Sequence, residues 1–491
     1  MSQAVQSTCR PPRYSRWRAA TLATVYLLMA VHILHWKLSG KTLAPLELNE
    51  VMYTLELGIV TAGFIFMVCA VLATLIFGRF FCSWGCHILA LEDLSAWILE
   101  KMHIRPKPVR SRVLIWVPII AMLYMFAWPQ LSRLVSGEPA PALHLRTDTG
   151  GWASFVTTNF WRNLPGPGIT LITFAVCGFV IVYFLGSRAF CTYACPYGAV
   201  FSLADRIAPG RIMARGDCTK CGKCTAVCQS RVRVHEELIE FGRVVNPSCL
   251  KDLDCIAACP EGALGYGFGL PAVFEHSKSS RLRTKQFDFT IREDLLIAGV
   301  FIASLAIFRG LYQTVPFLLS LAIGGILGYV AVLSVRLLHL KHVKINNFQL
   351  KIGDGLTRSG MVFIGLTAIA AGLTVHSAFI RYHEFQGGRH FQLAHVADEQ
   401  VDDAADAAAE QSLSHLEFCN DWGFHRPPGL THQLAVLHAA IGRRLANNND
   451  IPQAIEHLEK SCVFDPDVAL VRYNLGVLLA TTGRSKDALA V

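Results

Sequence analysis

Charged side chains are scarce in this chain of 491 residues, since Asp, Glu, Lys and Arg together make up 16% of it while hydrophobic residues make up 53%. With a mean hydropathy of +0.39, this composition excludes an ordinary soluble globular protein, and the length excludes one compact domain. The sequence also lacks a hydrolytic triad, a phosphate-binding glycine loop and a nicotinamide fingerprint. We therefore assign no catalytic residue and expect any soluble electron donor or acceptor to be another molecule.

Seven apolar stretches are long enough to serve as membrane-spanning helices. They lie at residues 19–36, 56–77, 112–128, 168–186, 294–312, 315–337 and 360–380. The sequence thus predicts a mainly α, polytopic helical membrane protein with seven spans.

Basic residues in the short connections predict the orientation of these spans, because such residues stay preferentially on the cytoplasmic side. Arg10, Arg13, Arg16 and Arg18 precede the first span, which places the N-terminus inside. The connection after the fourth span is then cytoplasmic, and seven spans put the C-terminal region outside, as in a prokaryotic inner membrane. A basic surface beside anionic lipid explains the net charge of +9. We expect no nucleic-acid partner.

Two cysteine runs follow the fourth predicted span, CTKCGKCTAVC at 218–228 and CLKDLDCIAACP at 249–260. In a two-cluster bacterial ferredoxin each run gives three thiolates to one cluster and the fourth to the other. On this scheme the first iron-sulfur cluster is held by Cys218, Cys221, Cys224 and Cys259. The second is held by Cys228, Cys249 and Cys255. Structural zinc is the rival interpretation, although zinc favours two well-separated cysteine pairs.

The second cluster lacks one cysteine, because Asp252 stands where the pattern calls for a thiolate. A carboxylate is a harder donor than a thiolate. Three outcomes stay open: a 4Fe-4S cluster with Asp252 as a ligand, a 3Fe-4S cluster, or no cluster.

An internal repeat places two more cysteine pairs at the ends of the second and fourth predicted spans, RFFCSWGCH at 79–87 and RAFCTYACP at 188–196. Cysteines four residues apart share one helix face. Packing the two copies together would gather Cys82, Cys86, Cys191 and Cys195 at a membrane edge. Four thiolates suit an additional metal or cluster, and the alternative is that these are small buried residues.

The paired CxxxC motifs followed by a two-cluster ferredoxin resemble the polyferredoxin membrane proteins of the NapH and NosR type, over roughly residues 20 to 270. The resemblance implies a carrier of electrons between a quinone or cytoplasmic donor and a protein partner, with the ferredoxin cysteines as cluster ligands. Two departures are His87 in place of the proline after Cys86, and Asp252 in place of a cysteine.

A change of character after the last predicted span indicates a separate C-terminal region. A linker is predicted over 386–430, with the acidic stretch at 398–410 as a solvated helix. From 431 to 491 a 34-residue period appears, in which Ile441 and Gly442 recur as Leu475 and Gly476. This pattern resembles a tetratricopeptide repeat, whose stacked helices bind proteins. We expect a protein client on this segment.

The sequence therefore predicts a four-span domain at 1–210 with both CxxxC motifs, an inserted α+β two-cluster ferredoxin module at 211–270 and a three-span domain at 271–385. The predicted function is membrane-bound transfer of single electrons between a quinone or soluble donor and a redox protein partner. The alternative is a redox-dependent assembly, maturation or regulatory factor for a metalloenzyme.

Overall fold

The computed structural model describes residues 13–104, 106–147, 153–160, 166–230, 232–275, 287–396 and 403–490, so that Arg10 lies outside the described residues. The fold is mainly helical and divides into two units, Met1–Ile302 with Leu321–Phe363, and Ala303–Ser320 with Ile364–Val491. Within these described residues, five helices are long and apolar enough to cross a membrane, Tyr14–Ser39, Leu114–Ser136, Pro167–Leu185, Phe317–His339 and Arg358–Ala394. These helices and the apolar composition indicate a membrane protein.

In the part of the chain that the structure describes, eleven α-helices precede the ferredoxin-like segment. They are α1 (Arg13–Ser39), α2 (Glu50–Leu57), α3 (Ala62–Phe77), α4 (Phe80–Trp84), α5 (His87–Lys101), α6 (Val117–Met122), α7 (Trp128–Ser136), α8 (Pro167–Phe174), α9 (Ile181–Leu185), α10 (Ala189–Tyr193) and α11 (Pro196–Ile207). A π-helical stretch at Leu123–Ala127 joins α6 to α7, and another at Ala175–Val180 joins α8 to α9.

The second predicted span corresponds to α3, an apolar helix of 16 residues. Thr61 begins it by accepting a hydrogen bond from the backbone N–H of Phe64 at 3.1 Å, and Gly78 ends it with a φ of 80°. A side chain at Gly78 would also meet Asp205 and Lys251 at 2.8 Å. Glycine therefore fits this position for two reasons, its conformation and the lack of space.

At the other end of α3 a short sheet closes the helical domain, where β1 (Thr42–Leu43) pairs with β2 (Val156–Thr157). The imidazoles of two α1 histidines bond to β1, His32 to the carbonyl oxygen of Leu43 at 2.9 Å and His35 to the hydroxyl of Thr42 at 3.0 Å. These contacts give both histidines a role in anchoring the loop.

The ferredoxin-like segment is an α+β element built on one antiparallel pair, β3 (Gly210–Ala214) and β4 (Leu264–Phe268), in register from Gly210 with Phe268 to Ala214 with Leu264. Between the strands lie α12 (Lys223–Ala226), α13 (Val234–Phe241) and α14 (Asp254–Ala257). Ile212 packs with Val232, Val234, Leu238 and Val244 in a core that also contains Cys224, Cys249 and Cys255.

Three further helices correspond to the last three predicted spans, α15 (Ile291–Phe308), α16 (Phe317–His339) and α17 (Arg358–Val396). A small sheet of β5 (His342–Ile345), β6 (Phe348–Ile352) and β7 (Gly355–Leu356) connects α16 to α17. The helix α15 has 18 residues and begins with the charged sequence IRED, and it is absent from the five apolar candidates. Seven spans therefore remain a prediction.

The C-terminal helices are α18 (Asp403–Trp422), α19 (Pro428–Asn447), α20 (Ile451–Phe464), α21 (Ala469–Thr481) and α22 (Ser485–Ala488). The predicted linker thus contains the end of α17 and all of α18. Gly442 faces Ala454 and Leu458, and Gly476, at the same position of the 34-residue period, faces the carbonyl of Ala488. The tetratricopeptide assignment itself remains a prediction.

Candidate metal centres

The four cysteines predicted to hold the first cluster line one cavity. Cys218, Cys221, Cys224 and Cys259 surround it together with His235 and Leu238, and its volume is 60 Å³. A single water needs only about 10–15 Å³ on this measure, so the cavity is much larger than a water site. Most of the surface that lines it is apolar, as suits a cluster held by thiolates.

The backbone explains how each cysteine run turns its side chains toward one point. In the first run Lys220 and Gly222 have φ values of 56° and 73°, and in the second Lys251 and Leu253 have φ values of 57° and 64°. These left-handed residues alternate with the ligand positions at the same places in both runs. The helices α12 and α14 also begin at equivalent positions, 31 residues apart. Asp252 therefore occupies the position in the second run that Cys221 occupies in the first.

The three remaining ferredoxin cysteines gather around Asp252. Cys249 and Cys255 are buried, and Asp252 is 6% exposed. Burial raises the pKa of the Cys228 thiol, and the neighbouring charges of Asp252 and Cys249 raise it further. The pKa of Cys255 is raised by burial first and then by Cys249, Asp252 and Cys228. Four acidic groups thus face one another, an arrangement that favours bound cations.

The Asp252 carboxylate has one oxygen without a hydrogen bond. Among the described residues, no group donates to its buried Oδ2, and the nearest cation is Nη1 of Arg18 at 3.9 Å. A buried, unbonded carboxylate oxygen is costly, and ligation to iron would satisfy it. The residues present therefore fit a second cluster with Asp252 as one donor.

Mononuclear metal sites require three or more ligand atoms around one point. Within the part of the chain that the structure describes, no three His, Cys, Asp or Glu side chains are arranged in this way. In a cubane cluster the four thiolates bind four different iron atoms. The absence of such a group among the described residues therefore applies to single metal ions and not to clusters.

Both CxxxC motifs lie on short hairpins inside the helical domain. After Gly78 the chain turns back, so that Phe81 on α4 stacks edge-on against Phe66 near the start of α3, with 5.3 Å between ring centroids. Tyr26, two turns into α1 from Arg18, donates its hydroxyl hydrogen to the carbonyl oxygen of His87 at 2.9 Å. The sequence predicted Cys86 at the end of the second span. In the structure the chain turns back after α3, and Cys86 lies beside α1 and α3 instead.

The two hairpins present equivalent cysteines to one region. Cys86 and Cys195 are the residues that precede the first turns of α5 and α11, and Cys195 Sγ accepts from the backbone N–H of Gly198 at 3.3 Å. The pKa of Cys191 is raised by burial and then by the charges of Glu92, Cys86, Cys195 and Cys82. The structure thus brings all four repeat cysteines within electrostatic range of one another.

Glu92 ties the two hairpins together. Its Oε1 accepts from the backbone N–H of Phe190 at 2.9 Å, and its Oε2 accepts from the Cys191 thiol at 3.1 Å. Burial raises the pKa of Glu92 to about 7, against an opposing effect of Arg188. No motif in the amino-acid sequence pointed to this residue.

Two buried arginines from equivalent positions of the repeat flank the thiols. Arg79 Nη2 lies 3.9 Å from Cys82 Sγ, and its Nη1 donates to the Pro247 carbonyl at 3.0 Å. Arg188 is 1% exposed, with Nη1 at 2.6 Å from Asp93 Oδ1. Among the described residues, Nε and Nη2 of Arg188 have no hydrogen-bond acceptor. These cations oppose, without outweighing, the rise in thiol pKa that burial causes.

A series of ion pairs connects the four-thiol site, formed by Cys82, Cys86, Cys191 and Cys195, with the ferredoxin module. Asp93, which pairs with Arg188, also lies 3.4 Å from Arg18, and Arg18 pairs with Asp254 at 3.0 Å. Trp84, inside the first CxxxC motif, donates its indole N–H to the Lys251 carbonyl at 3.2 Å. The second cysteine run of the ferredoxin module is therefore in direct contact with the first CxxxC hairpin.

Comparison with known proteins finds a family match on the segments of the CxxxC motifs. The family described as a 4Fe-4S binding domain matches residues 59–105 and 168–213, the two segments that hold the CxxxC motifs. NapH of Haemophilus influenzae, a ferredoxin-type protein, is 24% identical over 54% of this chain and 92% of its own length. No solved structure matches the chain.

This chain spans about half the length of two further relatives. YccM of Escherichia coli strain K12, named as a proposed electron transport protein, is 24% identical over 40% of this chain and 54% of its own. MauN of Methylobacillus flagellatus, a methylamine utilization ferredoxin-type protein, is 26% identical over 35% of this chain and 52% of its own. Two regions of the chain therefore match the 4Fe-4S binding domain family, and the chain is similar to ferredoxin-type proteins at 24–26% identity.

Proposed function

We propose that this chain is a membrane-bound iron-sulfur protein that relays single electrons between a quinone or soluble donor and a redox protein partner. The observation that carries the proposal is the cavity lined by Cys218, Cys221, Cys224 and Cys259. Residues 35 positions apart in sequence, such as Cys224 and Cys259, line it together. This is the ligand scheme of a two-cluster ferredoxin.

The proposal assigns the ligands as follows. Cys218, Cys221, Cys224 and Cys259 hold a 4Fe-4S cluster, while Cys228, Cys249, Cys255 and Asp252 hold a second cluster of 4Fe-4S or 3Fe-4S type. Cys82, Cys86, Cys191 and Cys195 hold a third thiolate-bound centre, which the two 4Fe-4S binding domain matches support.

Iron-sulfur clusters supply reversible one-electron redox chemistry, and the protein sets their potential by charge, hydrogen bonding and burial. Around the proposed third centre this chain provides two buried guanidinium groups, those of Arg79 and Arg188. It also provides the backbone N–H of Gly198, donated to Cys195 Sγ. Because positive groups stabilise the more negative reduced state, these contacts favour electron acceptance there.

Anaerobic purification, iron and sulfide analysis, and electron paramagnetic resonance of the dithionite-reduced protein test the assignment. We expect reduced-cluster signals, and loss of one of them in Cys218→Ser. Cys462→Ser is the matched control, because Cys462 lies on α20 outside all three thiol sets. Colourless protein that contains zinc would refute the proposal.

One experiment tests both whether a quinone accepts electrons from this protein and whether the four-thiol site carries them. Reduced protein is mixed with a soluble quinone analogue, and its reoxidation is followed by absorbance. The double variant Cys82→Ser with Cys191→Ser should keep the ferredoxin signals and lose rapid reoxidation. Unchanged reoxidation in the double variant would show that these thiols do not carry electrons.

A second candidate function is redox-dependent assembly or maturation of a metalloenzyme. The helical C-terminal unit favours it, because stacked helix pairs provide surfaces for a protein client. Reduced protein that reacts with no quinone analogue but loses electrons to an apo-metalloenzyme bound through α19–α21 would support this function over the relay.

A further inference from the structure

The ferredoxin-like segment has an exposed apolar patch at the end of β4. Large apolar side chains of α11, of the last residue of β4 and of the chain that follows it are between 48% and 69% exposed. The two parts are neighbours, because the 3₁₀-helix Ala272–Phe274 packs against α11. The apolar patch consists of Leu203, Ile207, Phe268, Leu270, Val273 and Phe274. Contiguous apolar surface of this kind marks a site of interaction with a partner.

The helix α3, which leads to this patch, has one apolar face turned outward. Its exposed large side chains recur at intervals of three and four residues, at Ile65, Val68, Leu72 and Ile76, so that they lie on one side of the helix. In a membrane span this side faces lipid. With 16 residues the helix rises about 24 Å, which is less than the roughly 30 Å of the hydrocarbon core. Apolar lipid therefore extends beyond the helix, past at least one of its ends.

The apolar patch begins where α3 ends. Phe77, the last residue of α3, has an exposed side chain, and its ring centroid lies 6.0 Å from that of Phe268. Tyr266 holds β4 at this position by donating its hydroxyl hydrogen to the carbonyl oxygen of Phe77 at 2.9 Å. The backbone N–H of Gly269 donates to the carbonyl oxygen of Pro209 at 2.9 Å, which ties the chain after β4 to the end of α11. The apolar patch is therefore continuous with the apolar surface of α3.

Basic residues accompany the apolar patch. Arg206 adjoins Ile207 on α11 and is exposed. The amino-acid sequence that follows Glu275, HSKSSRLRTKQ at 276–286, lies outside the described residues, and it contains four Lys and Arg residues and no acidic one. Apolar side chains combined with nearby Lys and Arg are the chemistry by which protein segments bind anionic bilayers. This combination favours lipid over a second protein as the partner.

We propose that the apolar patch inserts into the lipid leaflet that the end of α3 reaches, and that anionic headgroups surround it. The ferredoxin-like segment is then held against the bilayer by its own side chains as well as by its covalent connections to the helices. Insertion fixes the position of β4, which follows the second cysteine run, relative to the membrane. The inference rests on α3 as a membrane span and goes beyond the proposed function, since it requires no cluster.

Photochemical crosslinking of the full-length chain tests the insertion. A photoreactive benzoyl-phenylalanine is placed at Phe274, where an aromatic side chain is already present, and the protein is reconstituted into nanodiscs of phosphatidylcholine and phosphatidylglycerol. After irradiation, mass spectrometry identifies what is attached to this position. We expect lipid. Attachment to a second copy of the chain, or the absence of a lipid adduct, would overturn the proposal.

Two further positions of the probe serve as controls. Leu72, on the outward face of α3, should also give a lipid adduct. Asp217 should give none, because it is exposed and lies beyond Ala214, at the opposite end of the strand pair from Phe268. A lipid adduct at Leu72 without one at Phe274 would place the patch outside the bilayer. The absence of an adduct at Leu72 would overturn the proposal as well, because the insertion rests on α3 as a span.

The contribution of anionic headgroups is measured by repeating the experiment in phosphatidylcholine alone. We expect the yield of lipid adduct at Phe274, relative to that at Leu72, to fall about twofold or more when the anionic lipid that attracts Lys and Arg is omitted. An equal ratio in the two lipid compositions would overturn the assignment of anionic headgroups to this surface.

Discussion

Lys251 donates from Nζ to Oδ1 of Asp205 at 2.7 Å, with both side chains completely buried. The other oxygen, Oδ2, accepts from Nη1 of Arg211 at 3.1 Å, and Oδ1 also accepts from the backbone N–H of Arg79 at 3.2 Å. One carboxylate at the end of α11 therefore joins β3, the second cysteine run and the first CxxxC hairpin. It holds the ferredoxin module against the helices that carry the four-thiol site.

Replacing this carboxylate should loosen the module. Asp205→Ala leaves the ammonium of Lys251 and the guanidinium of Arg211 buried without a counter-ion, which costs about 3–5 kcal/mol. We expect a free energy of unfolding lower by this amount, together with faster hydrogen exchange in peptides over 210–214 and 249–255. In Glu459→Gln, where the ion pair with Arg484 is half exposed at 3.7 Å, the cost should stay below about 1 kcal/mol.

Restoring the missing thiolate should change the second cluster. In Asp252→Cys a fourth soft donor becomes available, so we expect more iron per chain and loss of any three-iron signal from the oxidised protein in electron paramagnetic resonance. Asp254→Asn is the control, because it removes a partner of the same Arg18 without adding a ligand. Identical iron content and spectra in Asp252→Cys would contradict the assignment of this position.

Removing a buried positive charge should make the four-thiol site harder to reduce. Arg188→Gln deletes a cation beside Cys191, and the reduced centre is the more negative one, so its midpoint potential should fall. A tenfold change in the equilibrium constant corresponds to about 59 mV for one electron, and we expect a fall on the order of one such step. A spectroscopic redox titration measures it, with Arg206→Gln at the end of α11 as the control. A rise in potential would contradict the charge argument.

Acid should destabilise the C-terminal helices. Burial, and after it the charge of His457, whose Nδ1 is 3.0 Å from that of His438, lower the pKa of His438 to about 4. The unfolded chain binds this proton with a pKa of about 6.5, so the stability contributed by neutral His438 is present above that pH and lost as the pH falls toward 4.

Hydrogen exchange of peptides from α19 over this pH range measures the effect. We expect exchange to accelerate on acidification after correction for its intrinsic pH dependence, and His438→Phe to remove most of that acceleration. Equal acceleration in the variant would assign the effect to other groups, of which Glu417 is the nearest acid, 3.6 Å from His438 Nε2.

The amino-acid sequence by itself predicted which residues are candidate cluster ligands, because ligand spacing is a local property. The spacing of Cys218, Cys221 and Cys224 predicts a cluster in any fold that turns the chain at Lys220 and Gly222, and the structure has both turns in the left-handed conformation. The repeat around Cys82 and Cys191 was equally visible, as were five of the apolar helices.

Only the tertiary structure decided where these elements meet. No local pattern shows that α4 folds back along α3 and carries Cys86 between the helices, or that Glu92 bonds to the thiol of Cys191, 99 positions away. The sequence also did not predict that Arg18 lies near Asp252, because the two residues are far apart along the chain. Buried charges such as Asp205 and Lys251 are stable only when the fold supplies an opposite charge at bonding distance, and that distance is set by packing rather than by sequence separation.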